Sequence, residues 1–443
     1  MRAYLLLAIL VLLFPVPFIN PFGGLLTYTW ISIFNPHQYT FGFVRSLPVA
    51  LMFALPTMIG LIFTKRKTLP PFTRETFLLA LLWLWFGITT LNVHQSFTFQ
   101  HHWEDTLQQF EFVSKILLMS FVSLMLIIDA KRLHLWYLVT AGCFVFFAIK
   151  SAVFGIVTGG QYKIYGPPHS MLADNNDFGL AMNMALPMFL CLARTESSTA
   201  LRWLFRVSIP MGMLAVVLTF SRGDMLGMMF LLFVWAAKSR YKVLGGIGLL
   251  VAVVIVFAVA PRSWIERMET IRTARQTDAS AQSRIRAWTF ALELARDHPI
   301  TGGGFETFTN ELYDRYGIHD THGPHSIYFQ MLGEHGVPGL MIFLSLIFSC
   351  YWSCRGLIRR FRDHESSQYL VEYARMVQLS LATYLVSGAF LGRGYFDLFY
   401  QIVATVIILK AIARTAAIPS TAEENLSSQE MPEPTTAPRP VVI

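Results

Sequence analysis

The fold class predicted by the sequence is an all-α polytopic membrane protein with about twelve transmembrane helices and one large extramembrane loop. Three observations predict it. Of 443 residues, 54% are hydrophobic and only 14% are charged, and the mean hydropathy is +0.50; soluble globular domains carry about 25% charged residues. The apolar residues come in long runs such as KVLGGIGLLVAVVIVFAVAP at 242–261, long enough for a bilayer-spanning helix of about 20 residues. They do not alternate, which excludes a transmembrane β-barrel.

In chain order, the expected spans are 3–19, 43–63, 74–92, 107–128, 133–157, 177–193, 203–219, 223–237, 241–260, 326–352, 373–391 and 396–414. The first run has a basic start and no small-residue cleavage site, so it is read as a retained helix, with a signal peptide as the alternative. The apolar stretch 22–35 is short and fenced by Pro21 and Pro36; it is read as re-entrant or interfacial. The spans divide the chain into an N-terminal transmembrane region (1–169), central helices (170–260), an outer loop (261–325), C-terminal helices (326–415) and a tail (416–443).

Charge sets the orientation. With a cytoplasmic N-terminus, one set of connections holds Lys65–Lys67, Lys131 and Arg132, Arg194, Arg202 and Arg206, Lys238, Arg240 and Lys242, and Arg355 to Arg362. The short loops of the other set are almost free of Lys and Arg, which is the positive-inside pattern. The formal net charge of +8 therefore reflects topology and calls for no nucleic-acid partner. The tail, rich in Pro, Ser, Thr and Glu, has too little apolar surface to order itself and is expected to be disordered and cytoplasmic. Cys143, Cys191, Cys350 and Cys354 lie in or beside apolar runs, so no disulfide framework is expected.

The outer loop carries the chemistry. Residues 261–325 hold eight arginines, nine acidic residues and no lysine. Most of these arginines, Arg267, Arg272 and Arg275 among them, read as solvated surface groups. Arg284 and Arg286 open an amphipathic segment, SRIRAWTFALELARDHP, whose Ile285, Trp288, Leu292 and Ala295 fall on one helical face. Arginine presents a fixed fork that matches phosphate oxygens, so a helix lying on the membrane surface would offer these two to a lipid phosphate. The glycines of PITGGGFETF serve a tight turn or, alternatively, an anion-binding nest. His319, His322 and His325 are three apart, but Gly323 and Pro324 interrupt the spacing and no metal-ligand motif accompanies them, so no metal site and no cofactor is expected. Pro324 favours a first helical turn, which would place His325 at the outer mouth of span 326–352. There it is either a proton acceptor beside arginines or an interfacial histidine bonded to a carbonyl. Arg222 in SRGD sits at another outer junction, and Arg393 and Asp397 in LGRGYFD at a third, where they are expected to pair with each other.

Three of these pieces resemble the O-antigen ligase superfamily, which includes O-antigen polymerases and O-linked oligosaccharyltransferases. They are SRG at 221–223, SRIRAW followed by DHPITGGGFETF, and HSIYFQMLGEHGVPG at 325–339 with its Glu334-x-Gly336-x-x-Gly339 signature. NPHQYTFG at 35–42 and SMLADNNDFGLAMNMALP at 170–187 resemble a narrower group, the O-glycosylation ligases found beside exosortase-type systems. The resemblance implies a GT-C-like, multi-pass enzyme of the bacterial inner membrane with a periplasmic active site and both termini cytoplasmic. It implies a polyprenyl-diphosphate-linked glycan as donor and an acceptor hydroxyl on protein, lipid or glycan. His325 would be the base, and Arg222 and Arg284 would hold the diphosphate, with Arg286 as substitute. Ser326 stands where the family more often has Asn. Asn175, Asn176 and Asp177 are read as a helix cap, with contact to sugar hydroxyls as the alternative. A repeat-unit polymerase is the rival within the enzyme class. A flippase for lipid-linked sugars is the rival of another class, and it requires charged groups in mid-span.

Overall fold

A computed structural model describes residues 2–96, 98–238, 279–319 and 323–416. The expected span 241–260, Arg262, Arg267, Arg272, Arg275, His322 and nearly all of the tail lie outside the described residues. Among the described residues the regular structure is helical. In chain order the α-helices are α1 Arg2–Leu13, α2 Val16–Ile19, α3 Pro21–Phe34, α4 Val49–Phe63, α5 Arg74–Gln95, α6 Trp103–Leu126, α7 Ala130–Val157, α8 Asn175–Thr195, α9 Thr199–Leu218, α10 Arg222–Lys238, α11 Ala279–Asp297, α12 Asn310–Arg315, α13 Ile327–Phe361, α14 Gln368–Gly388 and α15 Asp397–Ala416. Among the described residues, eight helical stretches are long and apolar enough to cross a membrane. Eleven of the twelve expected spans coincide with described helices or with the α1–α2 pair. The segment 43–63 starts its helix later, at Val49, and 326–352 continues to Phe361.

The stretch 22–35 forms α3, whose 14 residues reach about 21 Å, short of a hydrocarbon core of about 30 Å. Asn20 accepts from Gly23 N–H at its start, and Asn35 turns left-handed (φ 49°) at its end. Phe22, Leu25, Ile31 and Ile33 are buried, so α3 packs into the interior of the protein.

The central layer is α8, buried along nearly its whole length, with α7, α9, α14 and α10 packed around it. Small residues set these approaches. A Cβ on Gly179 would strike the Asp224 carboxylate, and one on Gly227 would strike Ser387 Oγ. Glycine therefore lets α10 lie close to α8 and α14, the usual device for helix contact in membranes.

Candidate functional site

The site is built on an interlock between two glycine-bearing segments. Within α13, Gly336 leaves the helical conformation (φ 66°, ψ −171°), and Pro338 follows. A proline has no N–H to donate, so the Glu334 carbonyl loses its helical partner there. The turn after α11 supplies replacements. Gly303 N–H donates to Gly333 O (2.9 Å), Gly304 N–H donates to Glu334 O (2.8 Å), and Val337 N–H donates to Pro299 O (2.9 Å). Trp85 Nε1–H, from α5, donates to His335 O (2.9 Å). A Cβ on Gly302 would come within 2.5 Å of Gly333 O, and one on Gly336 would strike Ile300 O. Of the two sequence readings of PITGGG, this is the tight turn. All three of its glycine N–H groups, with Gly302 donating to His298 O (3.0 Å), are spent on backbone carbonyls, so it is not an open anion nest.

Beside this interlock the N-terminal end of α13 packs against the α14–α15 connection, residues 389–396. Gly392 lies against Pro324 and the His325 backbone, and Gly394 N–H donates to Gln330 Oε1 (3.0 Å). From the opposite side Gly223, next to Arg222, abuts Phe390. From above, Trp288 of α11 donates its Nε1–H to Pro324 O (3.0 Å) and stacks on Phe329 with centroids 5.1 Å apart. Arg222, His325 and Arg393 thus border one short loop, and Arg284 lies one turn before Trp288 on the same face of α11. Arg286, two residues before Trp288, stands about 200° round the helix from it. Arg222, Arg284, Arg286 and His325 are all half-buried. The N-termini of α10 and α13 open beside this loop and add partial positive charge to that of the arginines.

Residues 207–344 match the family model described as O-Antigen ligase. Residues 1–196 match the model of a family of unknown function, DUF5935. No curated protein matches the chain. The O-antigen ligase match takes in Arg222, Arg284, Arg286, His325 and Glu334, the residues on which the resemblance was read, and ends before Arg393 and Asp397.

Several expectations change in this region. Arg393 does not pair with Asp397. It forms a two-pronged ion pair with Asp177 of α8, its Nε–H 2.5 Å from Asp177 Oδ1 and its Nη2 on Oδ2. Burial alone would lower the Arg393 pKa; the hydrogen bonds and charge of Asp177 outweigh it and raise it. Asp397 faces the other way, accepting from Ser32 Oγ of α3 (3.0 Å). Asp177 is therefore not a cap, and Asn175 donates to Thr219 O (2.8 Å). The α8 cap is Asp174, which accepts from Asn176 N–H.

His325 does not enter the first turn. Ser326 is the N-cap of α13, and His325 precedes it with a left-handed backbone (φ 43°). Phe220, two residues before Arg222, has the same conformation (φ 58°). On α11 the face packed into the protein is Ser283, Ala287, Phe290, Ala291 and Leu294. The expected stripe is a second apolar side, with Ile285 51% and Leu292 48% exposed. The helix is thus apolar on two sides.

Beneath the loop lies a buried polar cluster the sequence did not single out. Tyr395 hydroxyl donates to Glu334, and His335 Nε2 lies 2.7 Å from the same hydroxyl. His335 Nδ1 is 2.8 Å from Thr89 Oγ1. Phe86 and Phe305 enclose the imidazole. Glu334 thus lies buried on α13, nine residues on from His325 and bonded to Tyr395 of the loop. The adjoining His335 was legible only as the middle residue of EHG, with nothing in the sequence naming Tyr395 or Thr89 as its partners. Of the other histidines, His319 lies 3.1 Å from Asp314 on the exposed face of α12.

Proposed function

We propose that the chain is a membrane glycosyltransferase of the O-antigen ligase type. It transfers a glycan from a polyprenyl diphosphate to an acceptor hydroxyl on the outer, periplasmic side of the bacterial inner membrane. The observation that carries this reading is the meeting of His325, Arg222 and the Trp288 face of α11 at one loop, within the segment that matches the O-antigen ligase family. His325 takes the proton from the acceptor hydroxyl. The hydroxyl oxygen then bonds to the anomeric carbon as the bond from that carbon to the diphosphate breaks. The polyprenyl diphosphate leaves with the electron pair, and Arg222 and Arg284 stabilise its charge. Fixed cations beside a leaving group act most strongly where water is excluded. A positioned base contributes about 10²–10⁴-fold. The single displacement uses side chains alone, with no cofactor.

The acceptor is read as a protein hydroxyl or a polysaccharide end, following the resemblance of the N-terminal segments to the exosortase-associated O-glycosylation ligases. The test is donor-dependent glycan transfer by purified protein in EDTA, with a polyprenyl-diphosphate glycan and a panel of acceptors. Transfer by the wild type and a fall of about 10²–10⁴-fold in folded His325→Ala is the expected result. Undiminished transfer in the variant would remove His325 from the chemistry.

A further inference from the structure

A second site lies at the other ends of α8, α10, α13 and α14. A cavity of about 750 Å³ opens there, lined by Arg194, Arg355, Arg359, Arg375, Glu372 and Trp235 among others. The run of α13 from Ile327 to Arg355 separates it from the candidate active site by roughly 40 Å. Its charges do not balance. Arg194 (2.9 Å) and Arg375 (2.7 Å) share the single carboxylate of Glu372. Arg355 lies over the Trp352 ring at 5.1 Å, and neither Arg355 nor Arg359 forms an ion pair among the described residues. Four arginines thus face one glutamate. Away from these helix ends the lining is apolar, with Pro187 and Leu190 preceding Arg194 on α8 and Leu379 following Arg375 on α14.

Excess guanidinium at the mouth and hydrocarbon within fit a ligand that is anionic at one end and greasy at the other. These helix ends are also the ones that the Lys and Arg asymmetry assigns to the cytoplasmic leaflet. Basic pockets between transmembrane helices on that side suit anionic headgroups, and arginine forks match phosphate oxygens in pairs.

We propose that this cavity binds an anionic phospholipid of the inner leaflet. Its phosphate rests on Arg355 and Arg359, and an acyl chain runs along Leu190 and Met376. The site is separate from glycan transfer, so its test does not depend on that activity. Full-length protein in neutral detergent is titrated with phosphatidylglycerol, with phosphatidylcholine of the same chains, and with inorganic phosphate. Bound lipid is counted by native mass spectrometry, and thermal unfolding is followed in parallel.

Retention of phosphatidylglycerol over phosphatidylcholine, with a matching rise in melting temperature, is expected. Each arginine near an anionic lipid contributes about fivefold, so R355Q/R359Q should weaken phosphatidylglycerol roughly 20- to 30-fold. Equal retention of the two lipids, or unchanged affinity in the double variant, overturns the proposal. A stabilisation by inorganic phosphate equal to that by phosphatidylglycerol overturns the lipid assignment in favour of a soluble anion. Leu190→Trp fills the apolar end while keeping all four arginines. It should also weaken phosphatidylglycerol, which keeps the test decisive if the double variant does not fold.

Discussion

Arg393 keeps 37% of its side chain in contact with solvent, while Asp177 keeps 2%. The two ends of this ion pair are therefore not equivalent. Removing Arg393 leaves a carboxylate buried without its counter-charge, the situation that costs about 3–5 kcal/mol. Removing Asp177 leaves a guanidinium that can turn towards water. Arg393→Ala should accordingly destabilise the protein by about 3 kcal/mol, and Asp177→Ala by clearly less. Thermal unfolding in detergent of the two single variants checks the order; equal losses would mean that both groups are held only by the loop. The pair also explains why LGRGYFD was misread. Arg393 and Asp397 are one helical turn apart in sequence, but Gly394 and the start of α15 send them to opposite sides, and the true partner lies 216 residues away.

At the scale of elements, hydropathy and span length located nearly every described helix, because burial in lipid demands one continuous apolar run per crossing. What joins the helices was less legible. The glycines of PITGGG and EHGVPG announce unusual backbone, yet only the fold shows that each segment completes the other's hydrogen bonds. Periodicity found one apolar side of α11 and passed over the second, Ala287, Phe290, Ala291 and Leu294, which packs into the protein. Gly336 offers a direct test of the interlock. Alanine there must hold φ near 66° and drive its Cβ into Ile300 O. The expected cost is about 2 kcal/mol or more, with faster proteolysis of the 299–304 turn. Gly356 lies on the same helix with nothing within 4 Å of a new Cβ. Gly356→Ala should be neutral or stabilising by up to about 1 kcal/mol. Similar melting temperatures for the two variants would show that the kink carries no load.

Across the whole molecule, one buried ion pair ties three helices that no sequence pattern connects. Lys410 of α15 donates to Glu75 of α5 (2.6 Å), and Ser349 and Ser353 of α13 donate to the same carboxylate at 2.8 and 2.6 Å. Glu75 is fully buried, Lys410 is 19% exposed, and 335 residues separate them. A flippase requires charged groups in mid-span; this pair is buried, with Glu75 in the first turn of α5 and Lys410 near the end of α15. Two roles predict different variants. A structural pin is costly to break from one side and cheap to replace as a unit. Glu75→Ala would then lose about 3–5 kcal/mol, whereas E75M/K410M would be neutral or more stable. A charge relay of a transporter would fail in every variant lacking either group, whatever its stability. We expect the pin. The measurement is a double-mutant cycle in thermal stability, with glycan transfer and lipid-linked sugar movement across vesicles assayed on each corner. Coupling in stability with transfer retained in E75M/K410M assigns the pair to architecture. A stable double-methionine protein that has lost sugar movement across the vesicle would instead put Glu75 and Lys410 on a transport path and reopen the flippase reading.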